Sequence, residues 1–234
     1  MVDERKSVAI CVSASHTIPA AFLKHFMNFY LSNQEKYDLY FLCEVNYLID
    51  YARNTMVKKL LGCDRQPDYF FFVDADMVFA HNTLDRLIEE DKDVITGLYF
   101  QRLRPHYPLA WKSDGNKYCW HTDFKENVVE EIDACGAGAL LVKSDVFKKI
   151  GSLWFYDLID VNGCPVGEDI YFCKKLQENG FRIWLHGGTI ISHIGDSSIN
   201  ITDFVLCKNS PEYIPRKETG LHNDSFETKD IFMQ

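Results

Sequence analysis

The residues best suited to chemistry are Asp74 and Asp76, which flank Ala75 directly after the apolar run at residues 69–73. Two carboxylates that leave a buried strand repel each other, and a divalent cation relieves that repulsion. Mg²⁺ and Mn²⁺ prefer oxygen ligands, which proteins often share with the phosphates of a substrate. A solvated turn is the alternative interpretation, because aspartate is common at strand ends. The position after so apolar a strand favours a metal site.

A second acidic pair, Glu168 and Asp169, follows Gly167 at the start of a helix predicted at residues 168–179. Acidic residues favour helix N-termini because of the free amides and the helix dipole there. The same placement presents a carboxylate rigidly to a cleft, as a general base requires. These residue types therefore allow both a structural and a catalytic role.

His193 and Arg53 are two further candidates. A lone histidine is more often structural, but an imidazole after a predicted strand is also a suitable ligand for an ion held by Asp74 and Asp76. Arg53 lies beside the apolar stripe of a predicted helix, where it is either solvated or able to reach a phosphate.

The first hundred residues alternate between apolar runs and helical patterns. Strands are predicted at residues 8–12, 39–43, 69–73 and from 94 to 98, and helices at 20–32, 47–61 and 83–90. Such alternation predicts a mostly parallel sheet with right-handed crossovers. Ligands bind at the carboxyl ends of the strands in these sheets, so residues 13–16, 44–46 and 74–76 are expected along one edge.

The second half is less regular. Short strand-like pieces fill residues 99–135, and further elements are predicted as strands at 140–142, 182–185 and 189–192 and helices at 144–150 and 168–179. We predict one domain over residues 1–195, with a nucleotide-binding half at about 7–100 and an acceptor and catalytic half at about 101–195. Residues 196–234 are expected to be a C-terminal extension, part of which packs on the domain because it carries several apolar side chains.

Composition excludes some classes of function. With 234 residues, of which 47% are hydrophobic, the chain can bury a core, and one domain is the default. A net charge of -9 argues against nucleic acid as a partner, and it means that a bound diphosphate needs local cations.

The beginning of the chain is charged, and no apolar run approaches the roughly 20 residues that span a bilayer. We therefore expect a soluble protein without a transmembrane segment. The eight cysteines are scattered without C-x-x-C pairs, as is typical of small buried side chains in a reducing compartment. The expected location is cytoplasmic, including the cytoplasm of a virus-infected host cell.

Several motifs in this order resemble the glycosyltransferase family 2 type of GT-A enzyme over roughly residues 7–195. They are Ala52-Arg53-Asn54, the run FFVDADM at residues 71–77, the glycine cluster at 136–138, Gly167-Glu168-Asp169 and His193-x-Gly195. Minimal domains of this size also resemble glycosyltransferases of large DNA viruses and phages. The resemblance implies an α/β GT-A fold, with a Rossmann-like half built on a mostly parallel sheet flanked by helices and a smaller mixed acceptor-side half.

The resemblance also implies a role for each candidate residue. Asp74 and Asp76, with Ala75 between them, would hold Mn²⁺ or Mg²⁺ and the donor's ribose and diphosphate, and His193 would complete the metal coordination. The loop residues Ser13, Ala14 and Ser15 would contact the nucleobase, and Arg53 would lie near the pyrophosphate. Asp169 would be the base that deprotonates the acceptor, supported by Glu168.

The implied activity is a metal-dependent, hexosyltransferase-like transfer from a nucleotide-diphosphate sugar, UDP-sugars being favoured, to a hydroxyl of a glycan or another acceptor. A single displacement inverts the anomeric centre, although a retaining outcome stays open. The Q-x-x-R-W stretch of processive synthases is missing, which favours single transfers.

Two alternatives come from other classes. A sugar-nucleotide nucleotidyltransferase needs a glycine-rich, basic loop after the first strand, and residues 13–17 contain neither glycine nor Lys or Arg. A non-catalytic sugar-binding module has no need of both acidic pairs.

Overall fold

The computed structural model describes residues 5–45, 48–115, 117–159, 165–195 and 198–210. Its helices are α1 (Ala20–Asn33), α2 (Ile49–Leu61), α3 (Thr83–Glu89), α4 (Ser144–Ile150), α5 (Glu168–Glu178) and α6 (Ile201–Lys208). Its strands are β1 (Ser7–Ala14), β2 (Asp38–Val45), β3 (Tyr69–Asp74), β4 (Met77–Val78), β5 (Val94–Leu98), β6 (Ala110–Ser113), β7 (Tyr118–Trp120), β8 (Val129–Ile132), β9 (Ala134–Cys135), β10 (Ala139–Lys143), β11 (Leu158–Ile159), β12 (Pro165–Val166), β13 (Ile183–Ile190), β14 (Ser192–Ile194) and β15 (Ser198–Ile199).

A seven-stranded sheet with the order β2-β1-β3-β10-β5-β13-β8 forms the centre of the fold. Strands β2, β1, β3, β5 and β13 run in one direction, while β10 and the edge strand β8 run in the other. Smaller sheets have the orders β7-β6-β9, β15-β14-β4 and β11-β12. The predicted α/β class with a mostly parallel central sheet is confirmed.

The run at residues 69–73 is continuously apolar because β3 is buried on both faces. Phe70 and Phe72 belong to one hydrophobic cluster, whereas Phe71 and Val73 belong to the other. Helices α2, α4 and α5 cover the first face, and α1 and α3 cover the second. In this three-layer arrangement helices pack on both faces of the sheet. Side chains at its carboxyl edge are therefore positioned more precisely than side chains on a loop would be.

The prediction of two separate strands at 182–185 and 189–192 was wrong. Strand β13 covers part of both ranges as one strand, with a register irregularity between His186 and Ile190. Gly187 and Gly188, which separate the two predicted strands, both lie within β13. A Cβ on Gly187 would collide with the carbonyl oxygen of Lys125, so this glycine permits a close approach of two backbones. His193 consequently lies within β14 and does not follow a strand.

The three-stranded sheet β15-β14-β4 includes residues beyond Gly195. Strand β15 pairs with β14, and Phe204 of α6 stacks on Phe100 with 5.1 Å between ring centroids. The described part of the C-terminal region therefore packs against the core. Residues 211–234 lie outside the described residues, and the division of the chain at residue 195 stays a prediction.

The cysteines of the described residues are free thiols, and Cys11, Cys135, Cys173 and Cys207 are buried. Burial raises the pKa of the Cys11 thiol well above its ordinary value, which makes it a packing residue with little reactivity. No helix in the described ranges is long and apolar enough to cross a membrane.

Asn54 of α2 connects this helix to the segment that precedes α5. Its Nδ2 donates to the carbonyl of Phe155 at 2.6 Å, and its Oδ1 accepts from the backbone N–H groups of Trp154 at 3.0 Å and Phe155 at 3.2 Å. We expect Asn54→Ala to destabilise the fold by about 2–3 kcal/mol, because partly buried backbone groups lose their partners. Urea unfolding measures this change.

The matched control is Asn179→Ala at the C-terminal end of α5, where the amide contacts one exposed carbonyl, that of Lys175. Its effect should stay within about 0.5 kcal/mol. Equal losses in the two variants would contradict the bridging role of Asn54.

Candidate active site

A pocket of about 1160 Å³ opens at the carboxyl edge of the central sheet. The parallel register places Ser13 beside both Glu44 and Asp74, as the strand-end rule predicts. The lining residues are Ser13, Ser15, Thr17, Pro19, Ile49, Asp74, Ala75, Asp76, Arg102, Leu103, Arg104, His106, His193, Ile194, Gly195, Ile199 and Asp203. Six of the predicted site residues thus share one pocket, while Ala14, Arg53, Glu168 and Asp169 are not part of this lining.

Asp76 and His193 meet because β14 pairs with β4. The Ile194 N–H donates to the carbonyl oxygen of Asp76 at 2.7 Å, and Nε2 of His193 lies 3.2 Å from Oδ2 of Asp76. The other ring nitrogen, Nδ1, lies 2.9 Å from the carbonyl oxygen of Phe100, which can only accept. Nδ1 therefore carries a hydrogen. Nε2 then faces a carboxylate either with a second proton or with a lone pair directed at a shared cation.

The donor set beside Asp76 fits a divalent cation. Oδ1 of Asp76 is buried and has no hydrogen-bond partner among the described residues, which is unusual for a carboxylate oxygen. A histidine that donates its other N–H to a backbone carbonyl is also typical of metal ligands. Magnesium-type ions are commonly held by one or two protein ligands together with substrate phosphates.

The structure does not assemble the full set of three predicted ligands. Within the described ranges, no group of three His, Cys, Asp or Glu side chains lies close enough to hold one ion. Asp76 and His193 lie side by side, whereas Asp74 forms an ion pair with a different residue.

That partner is Arg53, whose side chain is only 2% exposed. Its Nη2 lies 2.8 Å from Oδ1 of Asp74, and its Nη1 pairs with Oε1 of Glu168. The guanidinium also lies over the ring of Phe155, 5.7 Å from the centroid. Arg53 therefore joins the end of β3 to the start of α5. Because Arg53 is not part of the pocket lining, its predicted contact with pyrophosphate stays a prediction.

Glu168 and Asp169 differ in their contacts. Glu168 is buried against Arg53, and its backbone N–H donates to Oδ1 of Asp157 at 3.0 Å. Asp169 accepts from the N–H of Ile170 through Oδ1 at 2.8 Å, and its Oδ2 receives no hydrogen bond from the described residues. Oε2 of Glu168 likewise receives no hydrogen bond from the described residues, but Glu168 is ion-paired with Arg53 and Asp169 is not, so Asp169 is the acid whose carboxylate is not held by a cationic side chain of the described residues.

Burial raises the pKa of both carboxyl groups. The pKa of Glu168 rises to about 8, with the charge of Asp169 adding to the effect and Arg53 opposing it. The pKa of Asp169 is also raised by burial, opposed by Arg53 and increased further by the negative charge of Asp74. Asp74, Glu168 and Asp169 therefore form one electrostatic cluster around Arg53.

The glycine cluster lies against this site because β10 runs antiparallel to β3. Ala139, the first residue of β10, pairs with Val73 of β3, so Gly138 lies next to Asp74. The N–H of Gly138 donates to the hydroxyl of Tyr99 at 3.0 Å. A Cβ on Gly138 would lie 2.7 Å from Oδ2 and 3.2 Å from Cγ of Asp74. Only glycine leaves the Asp74 carboxylate in its place.

We expect Gly138→Ala to reduce turnover by about tenfold or more, because a displacement of about 1 Å in a catalytic group is enough for losses of 10²-fold. The fold should persist, since the other close atom is the flexible end of Met77. Gly62→Ala is the matched control, because its Cβ would meet backbone oxygens no closer than 3.3 Å. Equal turnover in both variants would show that the position of Asp74 does not matter.

Tyr99 and Arg102 lie at the site but are not among the residues that the sequence predicted for it. Nη1 of Arg102 lies 3.3 Å from Oδ2 of Asp76. Both residues follow β5, whose direction matches that of β1 and β3, so the strand-end rule would have found them if applied to this strand as well.

No family model matches the chain, and no curated protein matches it either. Among solved structures, A197 from STIV has a TM-score of 0.60 and 18% sequence identity, covering 85% of this chain and 91% of that one. The catalytic domain of Drosophila β1,4-galactosyltransferase 7, in complex with xylobiose, has a TM-score of 0.48 at 13% identity and covers 96% and 79%. Glycosyltransferases are thus among the structural neighbours. The chain has a GT-A-type fold.

Other neighbours are more distant. A variant of the same Drosophila enzyme, in complex with manganese, UDP-Gal and xylobiose, has a TM-score of 0.42 at 13% identity and covers 81% and 71%. The inositol-1-phosphate CTP transferase from T. maritima has a TM-score of 0.46 at 14% identity and covers 89% and 98%. At these identities the likeness concerns the fold alone.

Proposed function

We propose that this protein is a glycosyltransferase that moves a sugar from a nucleotide-diphosphate sugar, with UDP-sugars favoured, to a hydroxyl of a glycan or similar acceptor. The donor would lie in the pocket at the carboxyl edge of the sheet, with its nucleobase near Ser13 and Ser15. Mn²⁺ or Mg²⁺ would be held by Asp76 and His193 together with the donor's phosphates.

The observation that carries this proposal is the arrangement around His193. Both of its ring nitrogens face acceptors, the carbonyl of Phe100 and the carboxylate of Asp76. Beside them, Oδ1 of Asp76 is buried with no partner among the described residues. A cation shared by His193 and Asp76 satisfies all of these groups at once, and a diphosphate is the natural further ligand in an acidic protein.

The side chains divide the work of the reaction. When bound, the metal ion supplies Lewis acidity that stabilises the departing nucleoside diphosphate. Asp169 accepts the proton of the acceptor hydroxyl as that oxygen attacks the anomeric carbon. Arg53 fixes Asp74 relative to α5, which keeps the donor-binding acid and the base at a constant separation. Attack from the face opposite the leaving group inverts the configuration.

Incubation with a panel of UDP-, GDP- and dTDP-sugars, with Mn²⁺ or with a chelator, tests this proposal. A glycosyltransferase releases nucleoside diphosphate, slowly by hydrolysis and faster when a suitable acceptor is present. Release that needs the divalent cation is the expected result. A binding module would give a thermal shift with a nucleotide sugar but no release.

The same panel separates the nucleotidyltransferase alternative. That class forms a nucleotide sugar from a nucleoside triphosphate and a sugar phosphate, and it releases pyrophosphate. Pyrophosphate release without nucleoside diphosphate release would contradict the proposed function.

A further inference from the structure

Arg102 forms an ion pair with the Asp76 carboxylate, which is also the proposed ligand of the cation. Its Nη1 lies 3.3 Å from Oδ2 of Asp76, the same oxygen that Nε2 of His193 approaches at 3.2 Å. Among the described residues, Arg102 is the one Lys or Arg side chain paired with Asp76. Arg102 and a metal ion bound to this oxygen are therefore competitors for one site.

The loop that carries Arg102 is closed at its base. The N–H of Gln101 donates to the carbonyl of Tyr107 at 2.9 Å, and the N–H of His106 donates to the carbonyl of Leu103, also at 2.9 Å. At the tip, the side chain of Arg102 is 57% exposed and Leu103 is 79% exposed. Because the loop backbone is held by these hydrogen bonds and the Arg102 side chain is largely exposed, Arg102 can change partners by rotating its side chain alone.

The charge of the pocket favours a phosphate group as a second partner for Arg102. The pocket is lined by the acids Asp74, Asp76 and Asp203, and the chain as a whole carries a net charge of -9. A diphosphate in this pocket needs cations, and a guanidinium presents paired N–H groups that match phosphate oxygens.

We propose that Arg102 exchanges its partner, from Asp76 to the diphosphate of the donor, when a divalent cation takes Oδ2 of Asp76. This inference rests on the proposed function and adds a diphosphate-binding residue to it. During transfer, the bond between the anomeric carbon and the diphosphate oxygen breaks, and the leaving nucleoside diphosphate keeps the electron pair. The acceptor oxygen forms the new bond and gives its proton to Asp169. Arg102 donates hydrogen bonds to the leaving group, whose negative charge has grown by one.

Two binding measurements on Arg102→Gln test the exchange, because it predicts opposite changes. Titration with Mn²⁺ alone should show an affinity about two- to fivefold higher than in the wild type, since an exposed competing ion pair is removed. Titration with a nucleoside diphosphate at saturating Mn²⁺ should show an affinity about tenfold lower, since a charge-assisted contact is lost. The probe is whichever of UDP, GDP and dTDP binds the wild type most tightly. Arg102→Lys keeps the charge and should recover part of the nucleotide affinity.

Two controls separate the exchange from general electrostatics. Arg65→Gln removes another exposed arginine, whose one ion-pair partner among the described residues is Asp38 at 2.9 Å, and it should change neither affinity. Arg104→Gln removes a charge from the same loop without touching Asp76, and it should raise the Mn²⁺ affinity less than Arg102→Gln does.

Unchanged nucleotide affinity in Arg102→Gln, or equal Mn²⁺ effects in Arg102→Gln and Arg104→Gln, would overturn the exchange while the proposed function stands. If the wild type binds none of the three nucleoside diphosphates with Mn²⁺, the proposed function fails, and the exchange fails with it.

Discussion

Replacing Asp76 by asparagine should weaken Mn²⁺ binding by about 100-fold or more, since loss of even an outer-shell partner costs metal sites about 10–100-fold. The amide has one neutral oxygen where the carboxylate has two charged ones, of which Oδ2 lies 3.2 Å from Nε2 of His193 and Oδ1 is buried without a hydrogen-bond partner among the described residues. Nucleotide affinity gained from the metal should disappear with it. Titration with Mn²⁺, followed by titration with nucleoside diphosphate, measures both losses.

The matched control is Asp38→Asn, which removes a partly exposed acid at the start of β2, the end of the strand opposite the pocket. Both proteins should keep their melting temperatures in the absence of ligands, but only Asp38→Asn should still be stabilised by Mn²⁺ with nucleotide. Wild-type activity in excess chelator, or unaltered Mn²⁺ binding by Asp76→Asn, would remove the metal from the proposal.

Asp169→Asn should lower turnover by about 10²–10⁴-fold, the usual contribution of a general base. Donor affinity should remain nearly unchanged, because Asp169 acts on the acceptor and makes no described contact with Asp76 or His193. Single-turnover rates and donor titration together separate these effects. Asp145→Asn, which removes an exposed acid from the first turn of α4, is the control and should leave turnover intact.

The pH dependence of kcat/KM provides an independent check on Asp169. A base works only when ionised, and burial raises the pKa of Asp169. The rate should therefore fall as the pH drops through this raised pKa, at a pH above the ordinary aspartate value of about 3.9. The residual activity of Asp169→Asn should lack this limb. A large loss of donor binding in that variant would move Asp169 to the donor site, and near-normal turnover would contradict its role as the base.

Much of the fold could be predicted from local sequence patterns. The apolar run of β3 and the bounds of α4 follow from side-chain periodicity, which depends on near neighbours in the chain. The strand-end rule predicts from the sequence alone that Ser13 and Asp74 lie at one edge of the sheet. Gly187 shows the limit of local reasoning, because its role depends on a backbone segment 62 positions earlier in the chain, around Lys125.

The sequence by itself determined which residues are candidates for the chemistry, since the positions of Asp74, Asp76 and Asp169 relative to predicted elements identified them without knowledge of their partners. Only the tertiary structure decided what those residues contact. Arg53 and Glu168 are 115 positions apart, and they meet because β10 inserts antiparallel between β3 and β5 and α5 packs across the same face. Contacts of this kind depend on the order and direction of strands, which burial of the whole core selects and which no local pattern encodes.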